Sequence, residues 1–404
     1  MPTVPSAILM LSGTRPGREG VGEIVLADEL SFLKPRQVSL FAALPRNASR
    51  ISPHDCQLVD AQQMDRRFEQ LSQNVARKLG GTAAYVANQL VYQRHVRKLT
   101  AAAIQFGQRQ KSQLLWAVLD CPTTIFMARR VAQGLGIPLR ALIWDSPDLF
   151  VQQLGWDQRS GRFLLQEFGQ VLRSSEKIAV IGESMQAEFQ RQYGVRGVIL
   201  RHGVAEASSE PVPQRTNQAE WRIGFAGSMT APDAFTHFVR CLDRQKWRIA
   251  NKPVVLRLLG CRYHCDSTQP QHIEYLGRLE TVSETVQALS ECDLLYLPQS
   301  FAPALESLSR WSFPTKLSSY LPARRPIFLH APPYASLVDF HRRYEFGICS
   351  TTLDESTVIA DLTRMLTDDA SNLFWCNEGR RCLEEELNLS LFRARFLEFL
   401  GVDL

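Results

Sequence analysis

The sequence predicts an α/β protein built from two doubly wound, parallel-sheet domains. Short, continuously apolar runs such as Ala7–Leu11, Val38–Leu44 and Leu114–Leu119 have the length and composition of strands buried on both faces. Helical stretches alternate with them along the chain. The alternation breaks after residue 204 and restarts at residue 221, so the same grammar is written twice.

A chain of 404 residues has the volume for two cores. Its 45% hydrophobic and 22% charged content is that of an ordinary water-soluble protein. The net charge of +5 fits an anionic ligand or a membrane surface without requiring nucleic acid. Nine cysteines scattered without a framework point to a reducing compartment. Cys261-Arg-Tyr-His-Cys265 lacks a second ligand pair at zinc-finger spacing, so structural thiols are expected there rather than a metal. No apolar run approaches the ~20 residues of a membrane span, and the N-terminus carries no basic leader. A cytoplasmic protein is expected.

In the first half, Ala7–Leu11 leads into Gly13-Thr-Arg-Pro-Gly-Arg-Glu-Gly-Val-Gly22, which opens a helix reaching about Leu33. Gly17, Gly20 and Gly22 let backbone approach a ligand closely, and equally make a plain flexible turn. The loop is neither Gly-x-Gly-x-x-Gly nor a P-loop, which weakens dinucleotide and NTPase readings. From Asp65 to Lys111 the pattern is helical and basic: Arg66, Arg67, Arg77, Lys78, Arg94, Arg97, Lys98, Arg109 and Lys111 stand against Asp65 and Glu69. A solvated helix face explains such a run, as does peripheral contact with an anionic membrane. The basic residues are not regularly interleaved with aromatics for base stacking, so no nucleic-acid partner is expected.

Strands resume at Leu114–Leu119 and Leu139–Trp144, around a helix starting near Thr123. The second runs into Asp145-Ser-Pro-Asp148. Carboxyl ends of strands line the ligand crevice of an open α/β sheet, which makes Asp145 and Asp148 candidate catalytic acids. Asp before Ser-Pro is also a common turn or helix cap. Lys177–Ile181, a helix to Tyr193 and Val198–Leu200 complete a first domain of residues 1–204. Residues 205–220, rich in Ser, Pro, Glu and Gln, read as a linker.

The second domain, 221–404, restarts with Arg222-Ile-Gly-Phe-Ala-Gly-Ser228, a strand ending in a glycine turn. Val254–Leu259, Ile273–Leu276 and Leu294–Pro298 are further strands, and Val282–Ser290 is a helix. Phe313–His330 reads as a short helix and a buried strand. Pro314 suits the first turn, Leu317, Tyr320 and Leu321 form an apolar stripe, Pro322 stops the helix, and Ile327-Phe-Leu is the strand. Lys316 opposes the helix macrodipole at a cost of about 0.3–1 kcal/mol, unless an anion sits between its ammonium and the free N–H groups. Thr315 and Ser319 share a face one turn apart, so with Lys316 they are placed to line one ligand. An exposed lysine on an ordinary amphipathic helix is the plainer reading. Helices near Tyr334–Arg343, Glu355–Leu366 and Asn372–Leu400 finish the chain.

Phe313-Pro-Thr-Lys-Leu-Ser-Ser-Tyr-Leu-Pro-Ala-Arg-Arg-Pro-Ile resembles the donor-site segment of GT-B glycosyltransferases of the family-4-like group, whose usual form is Pro-(Ser/Thr)-Lys-Leu-x-Glu-Tyr-Leu-Ala-x-Gly-x-Pro-Val. The resemblance implies two Rossmann-like domains facing a cleft, with the acceptor on the first and the nucleotide-sugar on the second. It also implies a terminal helix that often packs back on the first domain. In such enzymes the helix N-terminus and basic residue hold the donor diphosphate, and the Glu holds the ribose hydroxyls. Lys316 keeps the basic place. Ser319 stands where the Glu is expected, and Arg324 replaces a small residue.

By the same resemblance, Gly227, Ser228, Phe313, Pro314, Thr315, Lys316 and Ser319 bind the donor. Gly17, Gly20 and Gly22 lie beside the acceptor, and Asp145 and Asp148 occupy a paired-Asp segment. Many relatives carry an Arg and a Lys just after the first strand of the second domain. Ser228–Asp233 has neither, which leaves most of the charge neutralisation to Lys316. The implied reaction moves a hexosyl group from a nucleotide-diphosphate-sugar to a hydroxyl of a carbohydrate or lipid-linked acceptor, in surface polysaccharide or glycolipid synthesis. It needs no cofactor and no metal, since no Asp-x-Asp motif stands on a strand end. Asp145 is its base if the reaction inverts. Ser319 and the absent Arg/Lys pair motivate another reading, a catalytically degenerate scaffold that binds nucleotide or protein partners. A sugar-nucleotide epimerase of the same fold is a third, without a motif of its own.

Overall fold

The computed structural model describes residues 7–54, 56–66, 69, 81–204, 219–260 and 263–402. The chain forms two compact units: Met1–Arg201 together with Phe392–Leu404, and His202–Leu391. Most of the 205–220 stretch, and Cys261 of the Cys-x3-Cys pair, lie outside the described residues.

The first unit is a seven-stranded parallel sheet. Its strands are β1 (Ile8–Ser12), β2 (Val38–Leu44), β3 (Ala61–Asp65), β4 (Leu114–Val118), β5 (Leu139–Ile143), β6 (Lys177–Val180) and β7 (Val198–Ile199). Their order is β3-β2-β1-β4-β5-β6-β7. Every residue of β1, β2, β4 and β5 is buried, which explains why these strands read as unbroken apolar runs. β3 corrects the sequence reading, which began a helical stretch at Asp65. Its Ala-Gln-Gln-Met-Asp residues are only half-buried because it pairs with β2 alone at the sheet edge.

The helices of this unit are α1 (Val21–Ser31), α2 (Gly81–Arg109), α3 (Pro122–Leu135), α4 (Pro147–Gln153), α5 (Gln158–Ser174) and α6 (Glu183–Tyr193). α2 buries Tyr92, Val96, Leu99, Ala103 and Phe106, one stripe at helical spacing, against its neighbours. The chain's C-terminal residues complete the unit. Phe396 meets Trp116 edge-on at 5.1 Å and Phe392 meets Phe32 at 5.3 Å, while Arg140 donates to the Phe399 carbonyl at 3.1 Å.

The second unit repeats the plan with β8 (Trp221–Ala226), β9 (Arg248–Ile249), β10 (Lys252–Leu259), β11 (Ile273–Gly277), β12 (Leu294–Pro298), β13 (Ile327–His330) and β14 (Cys349–Ser350). The order is β11-β10-β8-β12-β13-β14, all parallel, with β9 added antiparallel to β10. Helices α7 (Pro232–Arg244), α8 (Val282–Ser290), α9 (Glu306–Trp311), α10 (Leu317–Tyr320), α11 (Ser336–Arg343), α12 (Glu355–Thr367) and α13 (Asp369–Glu386) cover it, and α14 (Leu389–Leu400) follows.

The single terminal helix expected over Asn372–Leu400 is therefore two. Asn388 makes the break: its side-chain oxygen accepts from the Leu391 N–H at 2.7 Å, as a helix cap does. Val204 occupies the gap, donating to the Leu387 carbonyl and accepting from the Leu389 N–H, both at 2.8 Å.

In each sheet the strand order reverses at one point, between β1 and β4 and between β8 and β12. Open α/β sheets bind ligands at the carboxyl ends of the strands flanking that reversal.

Candidate functional site

At the reversal of the second sheet, β8 and β12 pair only through Leu294 with Ile223 and Leu295 with Gly224, then splay apart. The Tyr320 hydroxyl fills the opening. It accepts from the Ala226 N–H at 2.9 Å and donates to the Tyr296 carbonyl at 3.0 Å, replacing the missing ladder bonds. Tyr320 closes α10, so this bridge fixes the Phe313–Tyr320 segment over the end of β8.

The next residue after β8, Gly227, has φ +92°, and Gly260 after β10 has φ +106°. A Cβ on Gly260 would come within 3.2 Å of the Gly227 nitrogen, so both turns need glycine. A Cβ on Gly227 would lie 3.6 Å from Lys316 Cε, which puts the lysine stem directly on this turn. The Lys316 ammonium stands 5.5 Å from the Phe225 ring centroid. Among the described residues no carboxylate pairs with it. Burial lowers its pKa to about 8 from the ordinary 10.5.

Lys316 is thus neither freely exposed nor chiefly opposed by a helix dipole. α10 has only four residues with Lys316 at its N-cap, so desolvation is the main penalty. Pro314 starts the turn, its carbonyl accepting from the Leu317 N–H at 3.3 Å. Thr315 is exposed, and the half-buried Ser319 donates to the Lys316 carbonyl at 3.1 Å. Phe313 packs edge-on against Phe340 at 4.9 Å. Gly227 and Ser228 are exposed. Asp233, in the stretch without cations, holds the loop after β12 through the N–H groups of Phe301 (2.7 Å) and Ala302 (2.9 Å) and the Ser300 hydroxyl (2.7 Å).

At the reversal of the first sheet, the Asp120 carboxylate accepts from the Gly13 N–H at 2.9 Å, with the Ser12 and Thr124 hydroxyls each at 3.3 Å. The loop that follows is stitched by Glu23. Its carboxylate accepts from Arg15 Nε at 2.9 Å and the Glu19 N–H at 3.1 Å, and its carbonyl accepts from the Gly17 N–H at 3.0 Å. A Cβ on Gly17 would strike the Glu23 carboxylate at 2.5 Å, and one on Gly22 would meet the Trp144 ring at 3.0 Å. Gly20 is the extended N-cap of α1.

Asp145 is half-buried in the bend between β5 and α4. Asp148 is exposed in the first turn of α4, where it accepts from the hydroxyl of the N-cap residue Ser146 at 2.9 Å. The helix cap expected of the acid before Ser-Pro is therefore taken by Ser146, with Asp145 one residue outside it and Asp148 an acid of the first turn.

Sequence reasoning missed Asp120, although it ends an apolar strand just as Asp145 does. It also missed buried Glu69, which accepts from the Thr123 N–H and from Arg66 Nη1, both at 2.9 Å. The Arg66–Glu69 spacing of three was the one available signal.

Solved structures share this architecture. HepE from Anabaena, in complex with UDP, matches with a TM-score of 0.66 at 14% identity, over 98% of this chain and 99% of that one. Sucrose-phosphate synthase from Thermosynechococcus elongatus gives 0.67 at 11% identity, over 98% of both chains. The lipopolysaccharide outer core galactosyltransferase WaaB gives 0.63 at 10% identity, over 98% of this chain and 99% of that one. No protein-family model and no curated protein matches the chain. The fold is that of the GT-B glycosyltransferases, two parallel-sheet α/β domains.

Proposed function

We propose that the protein is a glycosyltransferase that binds a nucleotide-diphosphate-sugar at the carboxyl edge of the second sheet and an acceptor at that of the first. The carrying observation is Lys316, a half-buried ammonium with no carboxylate partner among the described residues, packed on the glycine turn after β8. Leaving a desolvated cation unpaired is unfavourable, and a diphosphate would offset that. HepE in complexes with UDP and with UDP-glucose supports uridine as the first nucleoside to test.

On this reading the bond from the sugar's anomeric carbon to the diphosphate breaks, and its electron pair leaves with the nucleotide. Lys316 and nearby backbone N–H groups stabilise the departing charge. The acceptor oxygen forms the new bond, and in an inverting reaction Asp145 takes its proton. A hexosyl group and a carbohydrate or lipid-linked acceptor of surface polysaccharide or glycolipid synthesis are the finer reading, resting on the resemblance of the Phe313–Ile327 segment. Calorimetry with UDP and UDP-sugars, followed by an assay of UDP release that depends on added acceptor, tests the proposal. No binding of any nucleoside diphosphate would reject it, and binding without acceptor-dependent release would favour the scaffold reading.

The lowered pKa of Lys316 fixes a pH dependence. The free ammonium loses its proton as pH rises through about 8, whereas a bound diphosphate restores it. UDP affinity should therefore fall between about pH 7.5 and 9.5, with net proton uptake on binding that calorimetry in buffers of different ionisation heat detects. Lys316→Met should abolish both effects.

Ser319 offers a ribose one hydroxyl, already turned to the Lys316 carbonyl. Ser319→Glu should tighten UDP binding if the ribose lies against this turn. A weaker Kd in a titration would place the ribose elsewhere.

A further inference from the structure

We propose that the solvent face of α2 docks the protein on anionic lipid bilayers. At about 100° per residue, Leu90, Arg94 and Arg97 fall within about 60° of one another, and Val91 and Lys98 lie on the adjoining flank. The buried stripe from Tyr92 to Phe106 is on the opposite side. Leu90 is 68% exposed and Val91 46%, so two large apolar side chains stand in water beside three exposed cations.

The charge on this helix has no internal counterpart. From residue 70 to residue 119 the chain carries seven Arg or Lys and no Asp or Glu, more positive charge than the net +5 of the whole protein. Among the described residues, Arg94, Arg97 and Lys98 have no ion-pair partner. Elsewhere the same kind of residue is paired on its own helix: Arg191 with Glu188, Arg310 with Glu306, Arg380 with Glu384. Like charges three and four residues apart destabilise a helix, and an external anionic surface relieves that repulsion.

Charge complementarity combined with exposed Leu and Val selects a bilayer. Headgroup phosphates meet the cations while the apolar pair enters the interface. No helix among the described residues is long and apolar enough to cross a membrane, so the contact is peripheral. Among the described side chains of α2, the aromatics Tyr92 and Phe106 are buried, so they offer no ring for stacking a nucleic-acid base.

Co-sedimentation of the full chain with phosphatidylcholine vesicles, with and without phosphatidylglycerol, tests this. Binding is expected only with phosphatidylglycerol, weakening as salt rises. The triple variant Arg94→Gln, Arg97→Gln, Lys98→Gln should lose about tenfold or more in affinity. Leu90→Ser with Val91→Ser should weaken binding even at high salt. These side chains are exposed, so circular dichroism and UDP affinity should be unchanged in both variants, which separates this result from the donor-site reading. Absence of binding to phosphatidylglycerol vesicles, binding indifferent to the triple variant, or a preference for single-stranded RNA over vesicles would each overturn the proposal.

Discussion

Lys316→Met should raise the melting temperature of the ligand-free protein while lowering UDP affinity by about 10- to 150-fold. The two effects have one origin. Folding places the ammonium where its pKa is about 8, against about 10.4 in an unfolded chain. The folded state therefore holds the charge at a disadvantage, present in full below about pH 8 and relieved as pH rises toward 10.4. Methionine keeps the apolar stem on Gly227 and Phe225 and removes the charge. The gain in melting temperature should shrink across that same pH window. Bound UDP reverses the sign, because the variant loses a charge-assisted contact of about 1.5–3 kcal/mol, the source of the affinity range given. Differential scanning fluorimetry with and without UDP reads both. A variant that is stabilised by UDP as strongly as wild type would remove Lys316 from the donor site, and with it the main support for the proposed function.

The fold was legible because buried parallel strands write themselves as apolar runs. Most of β1, β2, β4, β5, β10 and β12 could be drawn from the sequence for that reason. β3 was not, since Gln62 and Gln63 on a half-buried edge strand have no such signature. The break at Asn388 was hidden because an asparagine cap looks like any polar residue until Val204 is seen filling the gap.

Of the residues proposed to bind the donor, Lys316 was visible through its motif. What fixes it in place was not. Tyr320 read correctly as part of an apolar stripe, but its hydroxyl serves partners 94 and 24 residues away. Gly260 read as a strand-ending turn, yet its reason is the backbone of Gly227 pressed against it. Asp120 escaped for the same reason, because its partner Gly13 is 107 residues distant. Local pattern reports the element, and only the packed sheet reports which two strand ends meet.

Asp145→Asn should reduce acceptor-dependent UDP release by about 10²- to 10⁴-fold, with UDP affinity and melting temperature close to wild type. Three acids near the strand ends of the first unit differ in where the fold places them. Asp120 is occupied in joining the ends of β1 and β4 through the Gly13 N–H and two hydroxyls. Asp120→Asn should thus show its main effect in thermal stability. Asp148 is exposed and serves the first turn of α4 with Ser146, so Asp148→Asn should leave turnover within about twofold and cost only a few tenths of a kcal/mol. Asp145 is half-buried directly beyond a central strand, where an acid can meet a substrate hydroxyl without being the helix cap. Steady-state assays of the three variants, run beside UDP titrations, give the comparison. Full turnover in Asp145→Asn would reject it as the base and favour either a reaction that retains the anomeric configuration or a different carboxylate.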